Sequence, residues 1–282
     1  MKSATADPID VALREDIGDG DVTTDSFVSK NIRGRARIIA RERAILAGAN
    51  TAAEVFRRVD STLQIKALRN DGSEVNAGDD VIEINGPVHS ILKAERVALN
   101  FLQHLSGVAT MTRRFVDAAA NDRVKILDTR KTTPGLRALE KAAVVAGGGA
   151  NHRLGLFDMV LVKDNHLATI TRFDDLAKAV RKVREARPKF QIEIEADTLE
   201  QVRGLLDIDG IDVILLDNMK PAEIREAIAL GKGKVKFEAS GGITLKNIRQ
   251  IAATGVDYIS IGALTHSPRA IDFSLEIANG DA

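Results

Sequence analysis

From Val124 onward the chain repeatedly alternates short apolar segments with amphipathic stretches of helical periodicity. The apolar segments predict six strands, at residues 125–128, 158–162, 191–195, 213–217, 235–238 and 258–262. Repeated βα units of this kind imply a parallel sheet that is covered by helices. Six strands are fewer than the eight of a regular barrel, so the pattern predicts an incomplete or irregular barrel. A doubly wound open sheet is the competing architecture.

The residues before this region show a different, strand-rich pattern. Short strands are predicted at residues 35–40, 63–67 and 81–84, with a helix at 49–58 between the first two. A long amphipathic helix at 91–120 follows, with Gly107 as a possible break. These elements predict a small α+β unit ahead of the repeated βα units.

The charge balance and the amino-acid content exclude several classes of protein. Lys and Arg number 40 and so do Asp and Glu, which argues against a general role on nucleic acids or membrane surfaces. The chain has no cysteine, so it has neither disulfides nor thiolate metal sites, and this fits the cytoplasm. We expect neither a signal peptide nor a membrane-spanning segment.

Polar or glycine-rich residues follow all six predicted strands. They are Asp128, Lys163, Glu195, Asp217, Ser240–Gly242 and Gly262–Ala263. In a barrel these strand ends form one face, where active sites lie. The simpler interpretation, that strands end where polarity rises, explains one or two such positions better than six.

Basic residues are concentrated between positions 128 and 166 of an otherwise neutral chain. They are Arg130, Lys131, Arg137, His152, Arg153 and Lys163. Arginine suits bidentate binding of planar anions, and lysine supplies a point charge. A solvated surface role is the default for any one of them, and Lys163 alone would also suit a Schiff base. Together they predict a site for a small polyanion.

Two further features point to a phosphorylated substrate. The Gly-Gly turn after residue 240 and the repeat of that theme at residues 261–263 are typical of phosphate-binding barrel loops, or else of ordinary tight βα turns. Glu195 and Asp217 would face the same mouth. They could serve a metal-bound diphosphate or a developing positive charge, or pair with the nearby cations.

These motifs, taken together, resemble one family over nearly the whole chain. The matching segments are residues 16–24, 95–100, 105–110, 128–137, 147–153, 163–166, 216–218, 238–242 and 262–266. They are similar to the quinolinate phosphoribosyltransferases, also called carboxylating nicotinate-nucleotide pyrophosphorylases. The chain departs from many members at Ala142 and Val145, where those members carry Tyr and Arg.

The resemblance implies a fold and an assembly. The expected fold is α/β, with an N-terminal α+β open sandwich domain at 1–108 and an incomplete, about seven-stranded α/β barrel of TIM type at 109–266. A C-terminal helix at 267–282 would pack back on the first domain. The family implies a homodimer, or a higher oligomer, whose active site is shared between subunits.

The resemblance also implies the reaction. The enzyme would transfer phosphoribosyl from phosphoribosyl pyrophosphate to quinolinate with decarboxylation, with Mg²⁺ as cofactor. The products would be nicotinate mononucleotide, pyrophosphate and CO2, on the route to NAD. Two alternatives remain: a related enzyme that uses another acid such as nicotinate, and a non-catalytic carrier. Residues 70–88 resemble half of a lipoyl-type domain, but they contain no lysine to modify.

Site roles are implied by position in the family's motifs. The quinolinate-binding set would be Arg96 of the partner subunit together with Thr129, Arg130, Lys131, His152 and Arg153. Lys163, Glu195 and Asp217 would be catalytic and would bind phosphoribosyl pyrophosphate, with the two carboxylates also near Mg²⁺. The remaining contacts to that substrate would come from Ser240, Gly241, Gly242, Ile261, Gly262 and Ala263.

Overall fold

The computed structural model describes residues 6–170 and 172–278. Its strands are β1 (Arg33–Ala40), β2 (Ala44–Ile45), β3 (Gln64–Ala67), β4 (Glu74–Val75), β5 (Asp80–Pro87), β6 (Lys125–Leu127), β7 (Val160–Val162), β8 (Ile192–Ala196), β9 (Val213–Asp217), β10 (Lys236–Ser240), β11 (Tyr258–Ser260) and β12 (Phe273–Ala278). Its helices are α1 (Pro8–Ile17), α2 (Val22–Phe27), α3 (Ala49–Val59), α4 (Val88–Ala119), α5 (Arg137–Ala146), α6 (Asp164–Leu167), α7 (Phe173–Ala186), α8 (Leu199–Leu206), α9 (Pro221–Gly231), α10 (Ile248–Ala252) and α11 (Ala263–His266).

The described residues form two compact units. The first contains residues 6–113, 132–148 and 264–278, and the second contains 114–131 and 149–263. The expected division after residue 108 therefore falls inside α4. Residues 132–148, which the sequence placed in the barrel, belong to the first unit. No helix among the described residues is long and apolar enough to cross a membrane.

The first unit is built on a four-stranded antiparallel sheet. Its strand order is β12-β1-β5-β3, and β2 and β4 form a separate two-stranded ribbon. Along β1, Ala36, Ile38 and Ala40 are buried, whereas Arg35 and Arg37 face outward. This alternation is what a sheet with one buried face requires. Side chains from α3 and α4 complete the core of this α+β unit.

Helix α4 runs through Gly107 without a break, contrary to the sequence-based expectation. A Cβ at this position would lie 2.3 Å from the carbonyl oxygen of Arg269. Glycine therefore serves close packing of the C-terminal segment on α4 rather than a kink in the helix.

The C-terminal helix at 267–282 that the resemblance implied is wrong for residues 267–278, and residues 279–282 lie outside the described part. Residues 273–278 form β12, which pairs antiparallel with β1, and Leu275 lies opposite Ile38. Apolar Phe273, Leu275 and Ile277 alternate with Ser274 and Glu276. That period of two is the strand signature. The segment packs within the first unit, as expected, but as an edge strand.

The second unit is a six-stranded parallel sheet with covering helices, as the six apolar segments predicted. The strand order is β6-β11-β10-β9-β8-β7. Successive strands from β7 to β11 are neighbours, and β6 lies beside β11, which is the winding of a barrel rather than of a doubly wound sheet. The sheet is open between β6 and β7. The seventh strand that the resemblance implied is reduced to one bridge between Leu127 and Ala150. The α/β class with an incomplete barrel is confirmed.

Candidate active site

Polar side chains gather at the carboxyl edge of the parallel sheet. Because β6 to β11 all run in the same direction, Asp128, Lys163, Asp217 and the Gly241–Gly242 turn end strands at one edge. The predicted convergence of these strand ends is therefore present. The face that carries them is the one where barrel enzymes place their active sites.

Three carboxylates form a cluster at the ends of β8 and β9. One oxygen from each of Glu195, Asp197 and Asp217 lies within 4.8 Å of the others. Such hard oxygen donors fit Mg²⁺, which binds proteins through carboxylates and retained water. The sequence analysis missed Asp197, although it lies only two residues after Glu195 at the end of the same strand.

Lys163 reaches this cluster from the end of β7. Its Nζ lies 3.4 Å from Oε2 of Glu195, so the ion pair that the sequence left open is formed. Burial raises the pKa of Glu195, against the lowering effect of Lys163. Burial also raises the pKa of Asp217, and repulsion from Asp197 adds to it. Crowded carboxylates of this kind are stabilised by a cation between them.

A second pair of like charges lies on the basic side of the site. Arg153 is only 9% exposed. Burial lowers the pKa of its guanidinium, and repulsion from Arg130 is the next largest cause. Glu193 and Asp158 attract it electrostatically, but no ion pair closer than 4.0 Å joins the Arg153 guanidinium to a carboxylate among the residues that the structure describes. Burial of a cation beside a second cation is costly, and a bound anion would offset that cost.

The loop that carries Arg153 is fixed to strand β6. The backbone N–H of Ala150 donates to Ile126 O at 2.8 Å, and that of His152 donates to Oδ1 of Asp128 at 2.8 Å. Asp128 is fully buried. The glycines before this loop serve packing, because a Cβ on Gly147 would lie 2.5 Å from the carbonyl oxygen of Ala109.

The His152 ring is hydrogen-bonded at both nitrogens within the second unit. Nδ1 accepts from the Arg153 backbone N–H at 2.7 Å, and Nε2 lies 3.0 Å from Oε2 of Glu193. Glu238 Oε2 is farther from Nε2, at 3.7 Å. The sequence analysis missed both glutamates. Glu193 could have been found, because it shares a strand face with Glu195.

The two glutamates beside His152 are almost fully buried. Glu193 is 1% exposed and Glu238 is 2% exposed. Burial raises the pKa of Glu193 to about 7. Burial, with repulsion from Glu193, raises the pKa of Glu238 to about 8. Each side chain also has one carboxylate oxygen, Oε1, without a hydrogen-bond partner among the described residues. A proton held between the two carboxyl groups would satisfy both oxygens.

The Gly-Gly turn after β10 requires glycine for steric reasons. Gly241 has φ +85°, and a Cβ there would lie 2.2 Å from Oδ1 of Asn218. Asn218 donates its backbone N–H to Ser240 O at 2.9 Å, and Asn247 Nδ2 donates to Gly242 O at 2.9 Å. Asn218 lies in a segment that the sequence had singled out, but its role in this turn and that of Asn247 were not predicted.

Three other predicted residues occupy informative positions. The backbone N–H of Ile261 donates to Leu127 O at 3.0 Å, so it is used within the sheet. Thr129 Oγ1 accepts from the Lys131 backbone N–H at 3.1 Å. Arg96 lies in the first unit, exposed on α4.

Comparisons with known proteins agree with the fold and the site. Residues 21–106 match the N-terminal domain of quinolinate phosphoribosyl transferase, and residues 108–276 match the C-terminal domain of that family. A probable carboxylating nicotinate-nucleotide pyrophosphorylase of Bacillus subtilis is 44% identical over 264 residues, which cover 93% of this chain and 90% of the relative. A chloroplastic protein of the same name from Oryza sativa is 40% identical, over 95% of this chain and 76% of its own length.

Solved structures give the same result. The nicotinate-nucleotide pyrophosphorylase of Francisella tularensis superposes with a TM-score of 0.88 at 41% identity, covering 96% of this chain and 94% of that one. The Ehrlichia chaffeensis enzyme of that name superposes with a TM-score of 0.89 at 39% identity, over 99% and 100% of the two chains. Since both domains match in order and the relatives match over nearly full length, this chain belongs to the quinolinate phosphoribosyl transferase family.

Proposed function

We propose that this protein is a decarboxylating quinolinate phosphoribosyltransferase, a pentosyltransferase of NAD biosynthesis. It transfers phosphoribosyl from phosphoribosyl pyrophosphate to quinolinate and yields nicotinate mononucleotide, pyrophosphate and CO2. One observation carries the proposal beyond family membership. The buried Arg153 lies beside Arg130 without a carboxylate partner among the described residues, and the acidic cluster lies at the same sheet edge.

The basic side suits a pyridine dicarboxylate. Arg130 and Arg153 would each pair with a ring carboxylate, which would relieve the repulsion between the two guanidinium groups. Thr129 and Lys131 are proposed to complete this contact, with Arg96 of the partner subunit. Nicotinate has one carboxylate and offers nothing to match the second carboxylate of quinolinate, so quinolinate uses the two adjacent guanidinium groups better.

The acidic side suits the sugar diphosphate. Glu195 and Asp217 are proposed to contact the ribose and, with Asp197, to hold Mg²⁺. When bound, Mg²⁺ would neutralise the diphosphate that departs as pyrophosphate. Lys163, which is paired with Glu195, would lie between the negative charges of the two substrates. The turn at Ser240, Gly241 and Gly242 would hold phosphate.

The loop after β11 is proposed to hold phosphate through Gly262 and Ala263. The Ile261 N–H is already bonded within the sheet, so that residue would contribute only packing.

Catalysis would rest on positioning and electrostatics. As pyrophosphate leaves, positive charge develops on the ribose, and the carboxylates of Glu195 and Asp217 would stabilise it. The fixed arginines would hold the pyridine nitrogen toward the ribose carbon. Once that nitrogen carries ribose, its positive charge stabilises the carbanion that forms when CO2 is lost, and this carbanion then takes up a proton.

The proposal includes the assembly and the compartment. We propose a homodimer in which Arg96 completes the partner's site, supported by its exposure on α4. A cytoplasmic location is proposed because the chain has no cysteine.

The test is an assay with quinolinate and phosphoribosyl pyrophosphate, with and without Mg²⁺, that follows both CO2 and nicotinate mononucleotide. We expect equal amounts of the two products and no turnover after chelation. Nicotinate in place of quinolinate should give little product. Efficient turnover of nicotinate, or none of quinolinate, would contradict the proposal.

A further inference from the structure

We propose that His152 is a positioning residue for Arg153 rather than a direct ligand of the substrate, and that Glu193 holds its ring in place. The assignment rests on the proposed function only in that Arg153 binds the quinolinate carboxylate. It concerns the hydrogen bonds that fix the Arg153 backbone next to that site.

The first step is the protonation pattern of the ring. The backbone N–H of Arg153 can only donate, so Nδ1 of His152, at 2.7 Å, must accept and carries no proton. Nε2 then carries the proton and donates it to Oε2 of Glu193 at 3.0 Å. His152 is therefore a neutral imidazole with both nitrogens engaged. In this tautomer no ring N–H remains to donate to a substrate carboxylate.

The second step concerns what holds the ring. His152, Glu193 and Glu238 line a cavity of about 470 Å³ in the second unit. The His152 side chain borders this cavity but is only 8% exposed, so its ring hydrogen bonds lie inside the protein and set the orientation of the ring. Glu193 supplies the bond to Nε2, because Glu238 Oε2 at 3.7 Å lies beyond hydrogen-bond distance.

The third step links the ring to the anion site. Two consecutive amides are fixed, that of His152 by Asp128 and that of Arg153 by the His152 ring. The guanidinium of Arg153 therefore starts from a fixed backbone. A neutral ring also adds no third positive charge beside Arg153 and Arg130, which already repel each other. If the His152 ring loses its fixed orientation, binding of quinolinate should therefore weaken more than binding of phosphoribosyl pyrophosphate.

The tautomer can be read directly in the unmodified protein. The full-length chain is labelled with 15N-histidine, and two-bond proton–nitrogen correlation spectra are recorded with and without quinolinate. The chain has five histidines, and the His152 signals are those lost in His152→Asn. We expect the neutral Nε2–H form, unchanged by quinolinate. A proton on Nδ1, or a change of protonation when quinolinate binds, would overturn the proposal.

Kinetics separate positioning from a merely structural role. Glu193→Gln keeps an acceptor oxygen for Nε2–H, and Glu193→Ala removes it. Loss of this buried hydrogen bond leaves the ring N–H without an acceptor and is expected to raise KM for quinolinate by about tenfold in the alanine variant. KM for phosphoribosyl pyrophosphate should stay within about twofold, and Gln should restore most of the loss. Equal effects of Ala and Gln, or equal effects on both substrates, would contradict the assignment.

Two controls complete the test. Glu226→Gln changes an exposed glutamate that pairs with Arg203, and it should leave both KM values unchanged. The same three side chains, His152, Glu193 and Glu238, are also close enough together to hold a metal ion. Elemental analysis of the purified protein tests for such a metal. One equivalent of metal lost in Glu238→Gln would overturn the proposal, because Nε2 would then be a ligand without a proton. If quinolinate is not a substrate but the Nε2–H tautomer is found, the proposed function fails and the ring geometry stands.

Discussion

At the scale of single residues, the site is defined by charges and turns that only particular side chains can provide. Arg153 is buried without a carboxylate partner among the described residues, which is costly for a cation unless an anion arrives. Gly241 lies so close to Asn218 that no Cβ fits. Both residues were singled out from the sequence, but only the structure gives the physical reason for each.

Replacement of Arg153 should abolish turnover without unfolding the protein. Arg153→Ala removes two charge-assisted hydrogen bonds to a carboxylate, so we expect kcat/KM for quinolinate to fall by about 100-fold or more. Arg153→Lys keeps the charge but loses the bidentate geometry, and it should recover only part of the activity. Steady-state kinetics with a thermal melt test this. Near-normal activity of the alanine variant would refute the proposed quinolinate site.

The Gly241 turn allows strain and close packing to be separated. Gly241→Ala places a Cβ 2.2 Å from Asn218 Oδ1 at φ +85°, whereas Gly255→Ala has φ +93° and no atom within 4 Å. Both should lose about 1 kcal/mol of unfolding free energy from backbone strain, and Gly241→Ala should lose more because its Cβ also collides with Asn218. Only Gly241→Ala should also raise KM for phosphoribosyl pyrophosphate. KM for phosphoribosyl pyrophosphate is measured for both variants under conditions in which both are folded. Equal values in the two variants would contradict a role of the turn in phosphate binding.

At the scale of helices and strands, local patterns predicted most of the fold, and contacts distant in sequence explain the failures. The strand at 213–217 and the helix at 199–206 form as predicted. The C-terminal helix was implied by the family resemblance alone, whereas the alternation of residues 273–278 with a period of two is the pattern of a strand. Its partner, β1, lies more than two hundred residues earlier in the chain. Glu238 was missed because a buried acid on an apolar strand is recognised only once the strands are aligned, whereas Glu193 lies on the same strand face as Glu195 and could have been found.

Because α4 packs closely against the C-terminal segment, a glycine-to-alanine substitution in this helix should lower the unfolding free energy rather than raise it. Gly107→Ala should stabilise an exposed helix by about 1 kcal/mol from helix propensity. Here the Cβ would lie 2.3 Å from Arg269 O, so we expect a net loss of about 1–3 kcal/mol instead. Urea unfolding measures the difference. Asn100→Ala, at an exposed position of the same helix, is the control and should be neutral or stabilising.

At the scale of the whole molecule, the apolar core of the second unit also encloses two glutamates, and their ionisation at high pH destabilises the folded state. Glu193 and Glu238 are held inside the sheet although burial raises the pKa of both. Natural proteins accept such costs at functional sites. The unfavourable burial of these two glutamates is therefore consistent with a functional role next to the anion site. It also makes the unfolding free energy depend on pH.

The unfolding free energy should decrease as pH rises from about 5 to 8. The pKa of Glu193 is raised to about 7 and that of Glu238 to about 8, so the folded state binds more protons than the unfolded state over this range. Stability then falls with pH, by at most about 1.4 kcal/mol per pH unit for each proton. Urea titrations at several pH values measure the slope. Glu238→Gln should flatten it, and an unchanged slope would show that other groups are responsible.

The assembly can be tested by mixing two inactive proteins. If Arg96 completes the partner's site, a heterodimer of Arg96→Ala and Arg153→Ala contains one site with both arginines intact. After unfolding and refolding of an equimolar mixture, about half of the dimers are mixed, so about a quarter of all sites should be active. Arg130→Ala mixed with Arg153→Ala is the control, because both residues belong to one subunit's site and no intact site can form. Recovery in the first mixture but not in the second supports a shared site, whereas no recovery in either places Arg96 outside the partner's site.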